Sequence, residues 1–304
     1  MKYLKHRLLF YIFSIWMIST IAFFCAYLLP GDTARITLGR QASEETLQAY
    51  REEAGLDLPM YRQYATFMNR LGHLDFGLSL SFRRPITELI KERALATVNL
   101  MFLAGIYVII FSIILPLYLK WQNCKYLSTI SESVCLFFGI MPPYVLGIIS
   151  LIIVADILGW VSIIFEPGNL GAWFLPALVL AAYPISVIYR LFNNQMDYVV
   201  NSQYVLHSRA LGFSEGYILC KEVLPNALTT SLPAFANTLA AFLTGTFFVE
   251  MVFGIPGLGR LIYEAISNKD ISLLLILCIL FAFTVTTIST LLEIAQRIID
   301  PRLR

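Results

Sequence analysis

The stretch SRALGFSEGYILCKEVLP, residues 208–225, is the most polar run in the second half of a strongly apolar chain. It connects two charge-free runs, 167–189 and 223–249, each longer than the roughly 20 residues that a helix needs to cross a bilayer. Gly and Ser at 212 and 214 are residues that end and begin helices. The sequence therefore predicts a structured loop that joins two membrane-spanning helices.

The whole chain has the composition of a multi-span membrane protein. Of its 304 residues, 58% are hydrophobic and 14% are charged, whereas soluble domains carry about 25% charged residues. Lipid offers backbone groups no hydrogen-bond partner, so each apolar run must be helical. We predict an all-α membrane protein with six transmembrane helices, at 8–29, 94–119, 133–155, 167–189, 223–249 and 271–292. The first run is too long for a cleavable signal peptide, whose apolar region has about 7–15 residues.

Lys and Arg set the predicted orientation, because cytoplasmic loops are enriched in them. With a cytoplasmic N-terminus, the two short outside loops carry only Arg260 and Lys269. An even number of spans then places both termini in the cytoplasm. The chain divides into the N-terminus and first span (1–29), an extracytoplasmic segment (30–93) and a five-helix core (94–304) with a cytoplasmic loop at about 190–222.

The extracytoplasmic segment is predicted to contain two short helices. Residues 43–54 form the first, which Gly55 ends, and Pro59 opens the second. The second has one apolar face, made by Met60, Tyr64, Phe67, Met68 and Leu71. Two uses of this face remain open, packing on the outer ends of the spans and docking of an external partner.

The cytoplasmic loop is predicted to fold as helix, Gly turn, helix, and we call residues 201–225 the knob. Asn201 or Ser202 caps the first helix, Gly212 ends it, and Ser214 caps the second. Helical spacing places Tyr204, Val205, Ser208 and Leu211 on one face. Small Ser208 and Ala210 allow close approach, and Leu224-Pro225 leads into the fifth span. Residue physics alone leaves two readings, a docking element for a partner's groove and a solvated loop.

A longer stretch, SQYVLHSRALGFSEGYILCKEVLPNAL (202–228), resembles the cytoplasmic loop of binding-protein-dependent ABC importer permeases of the dipeptide, oligopeptide and nickel branch. The matching positions are Tyr204, Arg209, Ala210, Gly212, Leu224 and Asn226. VEMVFGIPGLG (249–259) is the second specific match, and weaker fragments extend the resemblance over nearly the whole chain. The chain departs from the family pattern at Gln203, Ser208 and Glu222.

This resemblance implies a type I ABC importer permease fold and a non-catalytic subunit in the bacterial inner membrane. The implied partners are a second homologous permease, two cytoplasmic ATPase subunits that grip the knobs, and an extracytoplasmic binding protein. The implied coupling residues are Tyr204, Val205, Ser208, Arg209, Ala210, Leu211, Gly212, Leu224 and Pro225. ATP is bound by the partners, since this sequence has no Gly-x-x-x-x-Gly-Lys-Ser/Thr phosphate loop. The implied cargo is short peptides, with nickel or a metal chelate as the alternative.

Three further residues are candidates for a gate or the translocation path. Glu250 lies at the outer end of the fifth span, where a carboxylate is costly and marks a functional hypothesis. The competing interpretation is that Glu250 pairs with a basic group or with backbone N–H groups of the turn at 254–259. Asn237 in the fifth span can hydrogen-bond across helices. Pro142 is predicted to kink the third span.

Other functional classes are disfavoured by the residues. An ion-coupled transporter or channel, the alternative of a different class, needs charged groups at mid-membrane, and the centres of these spans carry none. The five cysteines and three histidines show no metal-ligand spacing, so we expect no metal site and no cofactor in this chain. A net charge of +2 without a basic run gives no indication of nucleic acid binding.

Overall fold

The computed structural model of the protein describes residues 2–28, 43–53, 55, 57–162, 164–166 and 168–299. Thirteen α-helices lie within these residues: α1 (Lys2–Leu28), α2 (Glu44–Glu53), α3 (Met60–Gly72), α4 (Ile86–Ile109), α5 (Leu115–Trp121), α6 (Lys125–Ile140), α7 (Pro143–Ser150), α8 (Gly171–Val200), α9 (Gln203–Ala210), α10 (Glu215–Ile218), α11 (Leu224–Phe253), α12 (Leu258–Ser267) and α13 (Ile271–Ile299). Two π-helical turns, Ile110–Ile114 and Leu219–Val223, connect consecutive helices without a loop, and a third, Leu151–Ile157, extends the C-terminal end of α7.

The predicted all-helical membrane architecture is confirmed at the level of its apolar segments. Four helices are long and apolar enough to cross a membrane, at Arg7–Cys25, Ile86–Trp121, Gly171–Val200 and Ile271–Leu292. Two bent pairs, Lys125–Ile140 with Pro143–Ile157 and Ala241–Phe253 with Leu258–Ser267, raise the count to six if each pair is one span. Several helices extend past the predicted spans, because helical hydrogen bonding continues through polar residues outside the apolar run.

The third predicted span is the main difference from expectation. A single helix over 133–155 with a kink is wrong, because the chain breaks between Ile140 and Pro143 and the two halves meet at 105°. Met141 and Pro142 are both extended, with ψ of 134° and 138°. A proline forces the preceding residue out of the helical region, and two consecutive prolines reinforce the break. By contrast, α8 continues through Pro176 and Pro184.

The chain forms two compact units. The first contains residues 1–95 and 260–286. Here α3 packs on α1: the Phe23 ring lies 5.4 Å from the rings of both Tyr64 and Phe67, and the hydroxyls of Thr20 and Tyr64 share a 2.7 Å hydrogen bond. This contact is the packing use predicted for the apolar face of α3.

A buried carboxylate ties the loop before α4 to the start of α13 within the first unit. Asp270, 1% exposed, accepts hydrogen bonds from Ser79 Oγ at 2.5 Å, Ser81 Oγ at 2.9 Å and Ser81 N at 3.0 Å. Its other oxygen accepts from Leu273 N at 3.0 Å and caps the first turn of α13. These four hydrogen bonds satisfy the carboxylate, and none of them comes from a cationic side chain.

The second unit, residues 96–259 and 287–304, is built around α8. Small residues let neighbouring helices approach α8 closely. A Cβ on Gly139 of α6 would lie 2.1 Å from Ser186 Oγ, and one on Gly245 of α11 would lie 2.8 Å from a Leu180 methyl. Membrane helices associate through such close packing of small residues, because lipid provides no hydrophobic drive between helices.

Candidate functional site

The base of the knob is a buried apolar cluster that joins it to two long helices. Val205 of α9 is fully buried and packs with the ends of α8 and α11. The other buried members of the cluster are Phe192, Met196, Val199, Ile218, Leu219, Val223 and Ala227. Each such side chain contributes roughly 1.5–3 kcal/mol on burial. The knob is therefore fixed to α8 and α11 and does not hang from a flexible linker.

The turn between α9 and α10 is the one that the sequence predicts. Gly212 has φ +84°, a left-handed conformation that favours glycine. Its N–H bonds the carbonyl of Arg209 at 3.0 Å, and the N–H of Phe213 bonds the carbonyl of Ser208 at 3.2 Å. These two bonds form a Schellman motif, which ends a helix sharply. Ser214 then caps α10, accepting a bond from Tyr217 N at 3.4 Å, as predicted.

The structure of the knob differs from the sequence prediction at two points. Ser202 occupies the N-cap of α9, but its hydroxyl donates to Val199 O at 2.6 Å and makes no capping bond. The second helix of the knob is also not separate from the fifth span. α10 continues through the π turn Leu219–Val223 into α11, with Leu224 against the buried cluster and Pro225 in the first turn of α11.

The residues of the predicted face of α9 lie partly in the buried base of the knob and partly at its exposed end, which we call the tip. Val205 is buried, whereas Tyr204 and Leu211 are 47% and 64% exposed. Ala210 and Gly212 are exposed as well. Phe213 and Tyr217 stack beside the turn with ring centroids 5.0 Å apart and an interplanar angle of 17°. The knob thus presents aromatic and aliphatic side chains on an ordered support, the composition enriched at protein interfaces.

Two polar contacts hold the knob together internally. Ser208 Oγ donates to Glu222 Oε1 at 2.6 Å, so two of the departures from the family pattern contact each other. Arg209 donates through Nε and Nη2 to the two carboxylate oxygens of Glu215, at 2.7 and 3.1 Å. The hydrogen bonds to Glu215 raise the pKa of Arg209 above its usual value, with desolvation opposing the shift. Neither contact requires a residue outside the knob.

Glu250 is fully buried at the far end of α11, about 39 Å along the helix from Leu224 at 1.5 Å per residue. Its Oε1 accepts a 2.6 Å hydrogen bond from Thr97 Oγ1, and that hydroxyl accepts a 2.8 Å bond from Leu258 N. A Cβ on Gly257 would lie 2.3 Å from the carboxylate. Thr97 thus links Glu250 to the backbone N–H of Leu258 in the turn at 254–259, the turn that the competing interpretation of Glu250 names.

The remaining candidates lie at the break before α7 and in α11. Pro142 is exposed at the break between α6 and α7. The backbone of Asn237 lies in the middle of α11, and its side chain lies outside the described residues. Among the described residues, no group of three or more His, Cys, Asp or Glu side chains is placed to hold a metal ion.

Sequence reasoning missed the two residues that complete these sites, Thr97 and Glu215. Thr97 precedes Glu250 by 153 positions, and no local spacing connects them. Glu215 lies in the first turn of α10, where an acid is favourable by itself, so it does not indicate a partner. Its position six residues after Arg209, across a Gly turn, was the available signal for the ion pair.

Two family models of transport proteins match this chain. Residues 113–304 match the family model described as binding-protein-dependent transport system inner membrane component. Residues 1–101 match the N-terminal model of the same transport systems. The second model covers α1 and the segment between α1 and α4, and the first covers both the knob and Glu250.

Individual relatives cover almost the whole chain. A Brucella abortus protein named "Putative peptide transport system permease protein" is 30% identical over 295 residues, 95% of this chain and 94% of the relative. A glutathione transport system permease protein of Escherichia coli is 27% identical over 305 residues, 100% and 99% of the two chains. A chain of the MetNI methionine ABC transporter, solved in inward facing conformations, superposes with a TM-score of 0.56 at 17% identity, covering 70% of this chain and 96% of that one. This last likeness concerns the fold alone.

Proposed function

The chain belongs to the family of binding-protein-dependent transport system inner membrane components, and we propose that it imports short peptides as one permease subunit of an ATP-driven ABC importer. Two relatives similar over nearly the full chain are named for peptide and glutathione transport, and glutathione is itself a small peptide. The chain is thus a multi-pass inner-membrane subunit that moves cargo and leaves ATP hydrolysis to its partners. An extracytoplasmic binding protein delivers the peptide, and a second permease completes the path.

The knob is the coupling element in this proposal. Its buried base around Val205 joins α8 to α11, and its exposed tip carries Tyr204, Leu211 and Phe213. A partner that moves the tip therefore moves both long helices. A flexible loop would not transmit such a movement. This combination of a buried base and an exposed apolar tip is the observation that carries the proposal. Coupling requires an element whose two arrangements both sites can bias.

In the proposed topology the chain has six spans with both termini in the cytoplasm, so that the knob faces the ATPases. The excess of Lys and Arg in the predicted inside loops supports this orientation. In domain terms, residues 1–29 anchor the chain, 30–93 face outward, and 94–304 form the permease core with the coupling loop. Pro142, Asn237 and Glu250 stay candidates for the path or its gate.

Substitution of Gly212 tests the coupling role. Gly212→Pro fixes φ near −65° and removes the N–H that bonds Arg209, and Gly212→Trp places a bulky side chain at a left-handed residue. Both should abolish co-purification of the ATPase subunits while the permease still inserts. Gly212→Asn is the matched control, since Asn tolerates this conformation. Normal recovery of the ATPases with the Pro and Trp variants would refute the coupling role.

Transport assays separate this function from an ion-coupled transporter or channel. Uptake of a labelled tripeptide into vesicles should require the binding protein and ATP. It should survive an ionophore that collapses the proton gradient. Uptake that follows the gradient and ignores ATP would establish the other class.

A further inference from the structure

A polar cavity of about 630 Å³ lies in the second unit, where α5, α6 and α8 meet the knob. Its volume falls within the roughly 300–1,000 Å³ of small-molecule sites. Three cationic and three acidic side chains line it, so its formal charge is balanced: Lys120, Lys125, Arg209, Glu132, Asp197 and Glu215. Such a lining suits a ligand that carries both signs of charge.

Four of these charged groups are already paired. Lys120 bonds Asp197, and Arg209 bonds Glu215 through two hydrogen bonds. Within the described part of the chain, Lys125 and Glu132 form no ion pair with any side chain. One cation and one carboxylate therefore stay available to a ligand.

These two groups lie on one face of α6 at a defined spacing. Lys125 is the first residue of the helix and Glu132 follows seven positions later, which is two turns or about 10 Å along the axis. No side chain caps the first turn of α6. A carboxylate beside Lys125 would thus also meet the positive end of the helix.

A buried, unpartnered oxygen lies beside Glu132. Asn193 of α8 is 7% exposed and lines the cavity, and its Nδ2 donates to Glu132 Oε2 at 3.3 Å. Its Oδ1 has no hydrogen-bond partner within the described residues. Exchanging the positions of the oxygen and nitrogen of the Asn193 amide would place its oxygen against the Glu132 carboxylate, and neither of these groups can donate a hydrogen bond. Buried polar atoms without a partner are costly and rare, so this oxygen indicates a missing donor.

We propose that this cavity binds a short zwitterionic peptide at the cytoplasmic mouth of the permease. The terminal carboxylate meets Lys125 and the first turn of α6, and the terminal ammonium meets Glu132 and, after a small movement of the buried Asn193 side chain, Asn193 Oδ1. An extended chain spans about 3.3–3.6 Å per residue, so a tripeptide matches the 10 Å separation. The peptide class rests on the proposed function, and the site adds to it a binding position formed entirely by this chain.

Binding of radiolabelled trialanine to the intact transporter complex in nanodiscs, without the binding protein, tests the site. We expect saturable binding that Glu132→Gln and Lys125→Gln each weaken about tenfold, the loss typical of one charge-assisted bond. N-acetyl-trialanine amide, which lacks both terminal charges, should bind at least tenfold more weakly. Lys91→Gln and Asp156→Asn remove one charge of each sign away from the cavity and should leave binding unchanged.

The outcomes distinguish the site from the transport function when trialanine uptake by the complete system is measured in parallel. If uptake proceeds but trialanine does not bind, or binds equally to all variants, the site is refuted and the function stands. If uptake never occurs but binding depends on Glu132 and Lys125, the site stands and the function fails. Lys125 is exposed at a helix start, so its variant tests the site even if Glu132→Gln disturbs folding.

Discussion

Replacing Thr97 by Val should destabilise the protein by about 3 kcal/mol. Val keeps the volume of the buried side chain but removes the hydroxyl that donates to Glu250 and accepts from Leu258 N. A hydrogen bond to a charged group is worth about 1.5–3 kcal/mol, and a stranded buried N–H costs about 1–3 kcal/mol. Hydrogen bonds between membrane helices contribute less, about 0.6 kcal/mol on average. Glu250 also keeps other interactions after the substitution. For both reasons we expect a total loss of stability near the lower end of the summed range.

Unfolding of the purified permease by SDS in mixed micelles, followed by circular dichroism, measures this loss. Thr97→Ser is the matched control, because it keeps the hydroxyl and loses one methyl group, about 0.8 kcal/mol. In a Glu250→Gln background the cost of Thr97→Val should shrink, since the two residues interact directly. A Val variant no less stable than the Ser variant would show that the Thr97 bridge does not stabilise this end of α11.

Three further predictions concern other parts of the chain. Gly259→Ala should prevent stable folding, because its Cβ would lie 2.6 Å from the backbone Cα of Phe247, which cannot move aside as a side chain could; yield of monodisperse protein measures this. Asp270→Ala should raise trypsin cleavage in the loop at 79–85 at least tenfold, because three donors of the loop lose their acceptor. The pKa of Asp75 lies below its ordinary value of 3.8, chiefly through the side-chain hydrogen bond from Arg70, so carboxyl NMR should show it rising toward 3.8 in Arg70→Gln.

Each of these three has its own check. Gly105→Ala, where a Cβ meets no atom within 4 Å, should fold normally, and equal yields for both alanine variants would contradict the steric argument. Trypsin resistance in Asp270→Ala would mean that other contacts hold the loop. The folded-state pKa of Asp75 is depressed, so its contribution to stability is present above the unfolded pKa and is lost as the pH falls through the folded pKa. An unchanged Asp75 titration in Arg70→Gln would refute the assignment.

The sequence by itself determined the elements whose signals are local. Long charge-free runs must be helices in lipid, Gly212 and Ser214 mark the turn of the knob, and two consecutive prolines mark the break after Ile140. Each of these signals acts within a few residues through backbone sterics or backbone hydrogen bonding. The angle of that break and the continuity of α10 with α11 depended on packing and were not predictable.

The tertiary structure alone decided which distant residues meet. Thr97 and Glu250 are 153 positions apart, and Glu132 and Asn193 are 61 apart. In a soluble helix, the alternation of apolar and polar residues identifies the buried face. In a membrane helix, the lipid-facing and core-facing sides are both apolar, so the pattern does not identify the face that packs inward. The buried polar contacts and the cavity therefore follow from how the helices pack, which no periodicity in this chain specifies.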